Sequence, residues 1–211
     1  MKIGVIGSGD VGKTLASGFL KYNHQVMLGS RTPTKLLDWV ATQPGMRVGN
    51  FAEAADFGEI IVLSVKGVVA QEALALAGEE KLKNKIVIDT TNPIANSPPI
   101  NGVLQYFTTL EYSLMERLQT SYPKAHFVKA FNSVGSANMV NPRFEATPTM
   151  FICGNDDEAK QVVSKMLKDF GWDAADYGKA ESARAIEPLC MLWCIPGFLR
   201  NDWSHALKMM T

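Results

Sequence analysis

The feature that most constrains this chain is a glycine-rich turn directly after its first predicted strand. The segment Lys2 to Gly7 is short, rich in β-branched residues and closed by glycine, which is typical of a buried strand. It leads into Gly7-Ser8-Gly9-Asp10-Val11-Gly12, which fits the pattern G-x-G-x-x-G, and the amphipathic segment Val11 to Tyr22 then predicts a helix. This order of strand, turn and helix indicates a βαβ unit that holds a dinucleotide pyrophosphate at the helix N-terminus.

The three glycines have separate roles in this interpretation. Gly7 permits the tight turn, Gly9 lets backbone amides approach the pyrophosphate, and Gly12 lets the helix pack close to the strand. The alternative is a glycine-rich turn without a ligand, and the position of the motif between a strand and a helix disfavours it.

Downstream, short apolar segments alternate with amphipathic ones. Strands that are apolar throughout and alternate with helices indicate a parallel sheet covered on both faces. We therefore predict an α/β fold: a Rossmann-type doubly wound, mostly parallel sheet with a helical C-terminal extension. Residues 1–211 would form a single domain, with a dinucleotide-binding core at 1–153 and a strand and helix extension at 154–211. Further strands are expected at 25–29, 46–48, 60–65, 86–88, 126–131, 149–153 and 174–177, and further helices at 33–40, 69–77, 111–120, 156–170 and 180–210.

Charge and composition exclude several classes of partner. The chain has 211 residues with 21 basic and 21 acidic side chains, so a surface that binds nucleic acid is not expected. No run approaches the ~18 apolar residues of a membrane helix, and the N-terminus lacks the apolar stretch of a signal peptide. Cys190 and Cys194 share a predicted helix face, but no third ligand lies near them in the sequence. We expect a cytoplasmic protein with no metal site and no nucleic-acid or membrane partner.

The end of the second strand indicates which dinucleotide is bound. An NAD site has Asp or Glu about 20 residues after the glycines, where it binds the ribose 2′-hydroxyl. No acidic residue occurs between Val11 and Leu37, and the strand end reads Gly29-Ser30-Arg31-Thr32-Pro33-Thr34-Lys35. Arg31 and Lys35 can pair with a 2′-phosphate, and the hydroxyls of this segment can hydrogen-bond it. The segment predicts NADP(H); the alternative is an ordinary surface in which Thr32 caps a helix.

The other strand ends mark where the nicotinamide should lie, because open α/β sheets bind ligands at the carboxyl ends of their strands. These ends read Ser64-Val65-Lys66, Thr90-Thr91-Asn92-Pro93 and Ala130-Phe131-Asn132. No catalytic residue is assigned there: Lys66 and Asn132 are the candidates, and the alternative for Lys66 is a surface lysine facing water. Reduction of a carbonyl or an imine generally needs a proton donor, whereas hydride transfer to another redox ring needs mainly proximity and stacking. The sequence therefore favours ring-to-ring transfer.

Four segments of the chain resemble a known family. They are Gly7-Ser8-Gly9-Asp10-Val11-Gly12, Gly29-Ser30-Arg31-Thr32-Pro33, Lys129-Ala130-Phe131-Asn132 and Arg184-Ala185-Ile186-Glu187-Pro188-Leu189. Together they resemble the deazaflavin (coenzyme F-420)-dependent NADP reductases and their stand-alone bacterial relatives, and the reductase domain of the STEAP metalloreductases is similar. The resemblance covers nearly the whole chain.

The resemblance implies a set of site residues and a reaction. Ser8 to Val11 would bind the pyrophosphate, and the second strand end would bind the 2′-phosphate through Ser30, Arg31 and Lys35. The adenosine-to-nicotinamide path would be lined by Val65, Val69 and Ala130. The reaction would be direct hydride transfer between NADP(H) and a flavin-type ring. Together, the motif and the resemblance give as cofactor-binding residues Gly7, Ser8, Gly9, Asp10, Val11, Gly12, Ser30, Arg31, Thr32, Lys35, Ser64, Val65, Val69, Asn92 and Ala130.

The identity of the second substrate stays open at the level of sequence. The expected partner is a small-molecule redox acceptor, with a flavin or coenzyme F-420 as the co-substrate. One alternative is a reductase of a small carbonyl or imine substrate, although such enzymes have large helical C-terminal domains. Another is a non-catalytic NADP(H)-binding regulatory module, since a Rossmann fold does not by itself imply turnover.

The C-terminal tail is unusually apolar for an extension. Residues 180–210 are expected to be helical with a break at Pro196-Gly197. Arg184 and Glu187 belong to the family-like segment, and the plain alternative for them is an ion pair within that helix. The tail either packs onto its own sheet or forms a homodimer interface that helps close the cleft of the partner, and we favour the homodimer. Helical spacing along it is shown by Leu199, Trp203, Leu207 and Met210.

Overall fold

The computed structural model describes residues 1–210, which build one eight-stranded sheet in the order β3-β2-β1-β4-β5-β6-β7-β8. The strands are β1 (Lys2–Ile6), β2 (Gln25–Gly29), β3 (Arg47–Gly49), β4 (Ile60–Leu63), β5 (Ile86–Asp89), β6 (His126–Lys129), β7 (Thr149–Gly154) and β8 (Asp173–Asp176). The helices are α1 (Asp10–Lys21), α2 (Leu37–Ala41), α3 (Phe51–Phe57), α4 (Ala70–Ala77), α5 (Glu79–Leu82), α6 (Leu114–Ser121), α7 (Asp157–Asp169), α8 (Ala183–Ile186) and α9 (Pro188–Arg200).

The sheet is parallel from β3 through β6, which confirms the predicted doubly wound architecture. β7 pairs antiparallel with β6, and β8 then pairs parallel with β7. The chain winds outward in one direction from β1 to β3 and in the other from β4 to β6, so the strand order reverses between β1 and β4. Loops leaving the carboxyl ends of these two strands diverge, and a crevice opens between them.

Two apolar layers cover the two faces of the sheet. One contains α1 and α7, where the rings of Phe19 and Phe170 lie 4.9 Å apart between centroids. The other contains α3, α4 and α6. All four side chains of β4 are buried, so both faces of this central strand are covered by apolar layers. The continuous apolar strands in the sequence arise from this double coverage.

The tail differs from its sequence prediction. α9 continues through Pro196 and ends at Arg200, and the next residue, Asn201, has a left-handed φ of 55°. The predicted break at Pro196-Gly197 is therefore wrong. Residues 201–210 contain no helix, and the helical spacing expected from Leu199 to Met210 is therefore wrong as well.

After α9 the chain reverses direction, and the tail folds back onto this helix. A Cβ on Gly197 would lie 2.3 Å from the ring of Trp203, so that ring packs directly on the helix backbone. The indole of Trp193 donates a hydrogen bond to the carbonyl of His205 at 2.8 Å. These contacts hold the returning tail against α9.

Two further points differ from the sequence analysis. Arg184 pairs with Glu116 on α6, and Glu187 pairs with Lys129 on β6, so the alternative of a local Arg184–Glu187 ion pair is wrong. The segment 126–131 is a strand only to Lys129, because Phe131 has a left-handed φ of 61° and turns the chain. No helix within residues 1–210 has the length and apolar character needed to cross a bilayer.

Candidate functional site

A cleft of about 1020 Å³ lies at the point where the strand order reverses. It is lined by the glycine-rich turn after β1, by the end of β2, and by the segments that follow β4 and β5. All of the sequence-predicted cofactor-binding residues line it except Gly12 and Ala130. Ala130 is fully buried, and Gly12 is buried in α1.

The turn between β1 and α1 is built on close backbone approaches. Gly7 has a φ of 118°, and a Cβ there would lie 2.3 Å from the carbonyl oxygen of Ser64. A Cβ on Gly12 would lie 2.0 Å from the carbonyl oxygen of Gly7, so α1 can reach this position only with glycine. Gly9 has open space at its Cβ position, and no side chain caps the helix that follows it. The amides of the first turn of α1 are therefore available to an anion in the cleft.

The end of β2 forms a polar and basic wall of the cleft. Ser30 is buried, and its hydroxyl accepts hydrogen bonds from the hydroxyl of Ser8 and from the amide of Thr32, both at 3.2 Å. Arg31 and Lys35 are exposed on the same wall, and Lys13 from α1 lines the cleft with them. Among the described residues, the acidic side chains in the lining are Asp10 on α1 and Glu72 on α4, so no carboxylate stands at the end of β2.

The floor of the cleft, at the end of β5, has its hydroxyls bound to the protein. Thr90 donates to the carbonyl oxygen of Leu63 at 3.0 Å, and Thr91 donates to Asp89 Oδ1 at 2.7 Å. Lys66 lines the cleft and is exposed. At this end of the cleft, Lys66 therefore presents an exposed amine, whereas the threonine hydroxyls already donate to protein acceptors.

Asn132, the second catalytic candidate, lies beneath the floor. Its side chain is 3 % exposed and donates to Asn92 Oδ1 at 3.2 Å and to the carbonyl oxygen of Ile186 at 2.9 Å. Asn92, which lines the cleft, donates in return to the carbonyl oxygen of Asn132 at 2.8 Å. The left-handed φ of Phe131 is unusual for a bulky aromatic residue and turns the chain just before Asn132. Asn132 itself does not line the cleft, and its link to the cleft is its pair of hydrogen bonds with Asn92.

A buried ion cluster, which the sequence reading missed, supports the same floor. Lys129 Nζ lies 2.7 Å from Asp89 Oδ2 and 3.1 Å from Glu187 Oε1, and none of the three side chains is more than 2 % exposed. Burial by itself would lower the pKa of Lys129, but the two carboxylates and their hydrogen bonds outweigh it and raise that pKa above its usual range. A lysine within an apolar strand was the available signal, since a buried lysine needs a partner.

The remaining ligand chemistry is limited. Within residues 1–210, no group of three or more His, Cys, Asp or Glu side chains is arranged as a metal site. The site instead fits the phosphates of a dinucleotide. The glycine-rich turn and the uncapped helix offer backbone amides to a pyrophosphate, and the basic wall offers cations to a further phosphate.

Comparison with known proteins agrees with this geometry. Residues 2–93 match the family model for NADP oxidoreductase, coenzyme F420-dependent. The crystal structure of a protein from Arthrobacter sp. FB24, assigned as an F420-dependent NADP reductase, superposes with a TM-score of 0.94 at 30% identity over 100% of both chains. The chain belongs to the coenzyme F420-dependent NADP oxidoreductase family.

The chain is also similar to two curated relatives, and it spans very different shares of their lengths. The F420-dependent NADP reductase of Methanocaldococcus jannaschii is 28% identical, with 91% of this chain and 90% of the relative aligned. Metalloreductase STEAP3 of Rattus norvegicus is 31% identical over 94% of this chain, but the chain spans only 39% of that protein. As a member of this family the chain is an NADP-dependent oxidoreductase, which confirms the enzyme class predicted from sequence.

The glycines of the turn provide a matched pair of variants. We expect Gly12→Ala to lower the free energy of unfolding by about 1–3 kcal/mol, because its methyl group overlaps the Gly7 carbonyl. Gly9→Ala should stay within about 1 kcal/mol of wild type, because its methyl group meets open space, yet it should weaken NADPH binding about tenfold or more by blocking the approach of the phosphates. Urea unfolding and calorimetric NADPH titration check both; a Gly9→Ala protein that binds NADPH normally would contradict the expectation.

Proposed function

We propose that the cleft binds NADP(H) with the adenosine 2′-phosphate against the wall formed by Ser30, Arg31, Thr32 and Lys35. The observation that carries this is the pairing of exposed cations with the absence, among the described residues, of a carboxylate at the end of β2. A carboxylate there would accept hydrogen bonds from a ribose 2′-hydroxyl but would repel a phosphate. Lys13 adds a third cation to the cleft.

The other cofactor contacts follow from the course of the cleft, which runs from the end of β2 past the glycine-rich turn to the ends of β4 and β5. Gly7 to Val11 would hold the pyrophosphate at the N-terminus of α1. The nicotinamide would then lie over Ser64, Val65, Val69 and Asn92 at the ends of β4 and β5, with Ala130 buried beneath them. The extension that begins at residue 154 contributes β8, which pairs with β7 in the same sheet, so we propose that the chain works as a single NADP-binding unit.

For the reaction, we propose hydride transfer between the nicotinamide and a flavin-type ring, with coenzyme F420 as the first candidate. NADPH supplies a hydride, and an acceptor ring stacked on the nicotinamide needs proximity more than a proton donor. In this reaction the chain binds and orients the two rings and need not donate a proton. The hydroxyls of Thr90 and Thr91 already donate their protons to protein acceptors. A second candidate, reduction of a small carbonyl or imine, rests on Lys66, which is exposed in the cleft and can donate a proton.

A substitution at Lys66 distinguishes the two proposed reactions. We expect NADPH oxidation with coenzyme F420, and Lys66→Met should change its kcat by less than about threefold because no proton has to come from the protein. Reduction of a carbonyl or imine would instead fall by on the order of a hundredfold in the same variant. Stopped-flow absorbance with F420, FMN, FAD, a ferric chelate and cyclic imines checks this. Turnover with none of them would favour a regulatory NADP(H)-binding module.

The 2′-phosphate assignment is tested at Arg31. Arg31→Ala should weaken NADPH binding on the order of 10 to 100-fold, because a charge-assisted contact is lost, and should leave NADH binding within about twofold of wild type. Arg47→Ala is the matched control, since Arg47 lies on β3 over the ring of Phe57 and outside the cleft. Calorimetric titration of both cofactors against the three proteins is the measurement. An equal loss of NADH and NADPH would refute the assignment.

We also propose that the chain forms a homodimer through α9. Leu192, Phe198 and Leu199 on this helix are 44–56% exposed, and the neighbouring loop exposes Ile100 and Val103. The loop packs against the helix at Gly102, where a Cβ would lie 2.9 Å from Leu199 Cγ. Clustered aromatic and aliphatic side chains of this kind are typical of homodimer interfaces.

Light scattering after size exclusion should give twice the 23.1 kDa mass of the chain. Phe198→Glu should shift it toward the monomer, because a charge would be buried in an apolar interface. Leu37→Glu on α2, at a side chain 56% exposed like those of the patch, is the control and should leave the mass unchanged. A wild-type protein that runs as a monomer at all concentrations would refute the dimer.

A further inference from the structure

Thr91, in the floor of the cleft, is held at three of its atoms from beneath. Its amide and its hydroxyl donate to Asp89 Oδ1 at 2.9 and 2.7 Å, and its carbonyl oxygen accepts from Lys129 Nζ at 2.8 Å. Lys129 and Asp89 are fully buried and pair with each other at 2.7 Å. The peptide groups that lead to Asn92 are therefore fixed by a buried ion pair and not by the ladder of the sheet.

Glu187 connects this ion pair to the C-terminal part of the chain. Its carboxylate lies 3.1 Å from Lys129 Nζ and also accepts from the amides of Leu114 and Met115 at 3.0 and 2.9 Å, at the start of α6. The preceding carbonyl, that of Ile186, accepts from Asn132, which pairs with Asn92. Both floor residues are thus tied to the short segment 186–187, which directly precedes α9.

Stability alone does not account for this arrangement. Removing three charged groups from water is costly, and well-packed uncharged side chains of similar volume are often at least as stabilising as a buried ion cluster. What the charges add is a single geometry: Lys129 has directed contacts with two carboxylates and one carbonyl. A floor that must hold a ring within a narrow range of distances benefits from such a fixed support.

We propose that Lys129 is a positioning residue for the nicotinamide half of the cofactor, acting through Thr91 and Asn92. Asp89 and Glu187 hold the lysine in place, and Glu187 links the floor to α6 and to the start of α9. The proposal rests on the proposed function, because it takes the cleft to be the NADP(H) site. It makes no use of the identity of the acceptor.

The test compares NADPH with 2′,5′-ADP, a fragment that occupies the adenosine and 2′-phosphate end but lacks the nicotinamide. The neutral variant Lys129→Met/Asp89→Asn/Glu187→Gln removes all three charges and the hydrogen bond to the Thr91 carbonyl while keeping similar volumes. We expect its NADPH affinity to fall roughly tenfold and its affinity for 2′,5′-ADP to stay within about twofold of wild type. Calorimetric titration gives both affinities, and thermal unfolding shows that the protein is folded.

A matched control exists at a second buried lysine. Lys160 pairs with Asp157 at 3.0 Å and with Asp176 at 2.8 Å, and it lies on α7, outside the cleft. Lys160→Met/Asp157→Asn/Asp176→Asn should leave both affinities unchanged. A milder variant, Thr91→Val, removes the hydrogen bond from the Thr91 hydroxyl to Asp89 and changes no charge. It tests the positioning role even if the triple variant unfolds. It should show the same selective loss of NADPH affinity.

The outcomes separate the two proposals. Equal losses for NADPH and 2′,5′-ADP, or no loss for either, in a folded cluster variant would refute the positioning role and leave the cofactor assignment standing. Failure of the wild-type protein to bind 2′,5′-ADP would instead overturn the assignment of this cleft as the NADP(H) site, and the positioning role with it.

Discussion

The close approach of α1 to the end of β1 is the constraint on which the rest of the cleft depends. A Cβ at position 12 would lie 2.0 Å from the carbonyl oxygen of Gly7, so the helix can start where it does only with glycine there. Gly7 itself has a φ of 118°, and a Cβ there would lie 2.3 Å from the carbonyl oxygen of Ser64. That start places an uncapped helix N-terminus at the reversal of strand order, where the sheet opens. Any side chain at Gly12 would move the helix and with it the amides that face the cleft.

The parts of the fold that depend on local pattern were accessible from sequence. Continuous apolar segments such as 60–63 predict buried parallel strands, and the glycine spacing predicts the first turn and its helix. The short helix α3 is not among the predicted elements, although its sequence carries a local signal, a capping box formed by Asn50 and Glu53. Most of the predicted cofactor-binding residues line the cleft because parallel strands bring their carboxyl ends to one edge of the sheet.

The parts that were missed depend on contacts between distant segments. Glu187 reads as the partner of Arg184 by helical spacing, but its carboxylate is taken by Lys129 and by the amides that open α6. Pro196 reads as a helix break, but the returning tail packs Trp203 on Gly197 and stabilises the helix beyond it. In both cases a local rule is overridden by burial that only the folded chain provides.

The distribution of charge around the cleft has a consequence for the chemistry. Arg31 and Lys35 are exposed cations that a phosphate can reach, and the half-buried Lys13 lines the same cleft. The cation under the floor, Lys129, is instead neutralised by two carboxylates. The floor therefore presents a fixed backbone and an amide rather than a free charge, and its hydroxyl protons are already donated. Such a surface can orient a nicotinamide but has little to offer a substrate that must be protonated, and the exposed amine of Lys66 is the exception that the acceptor experiments address.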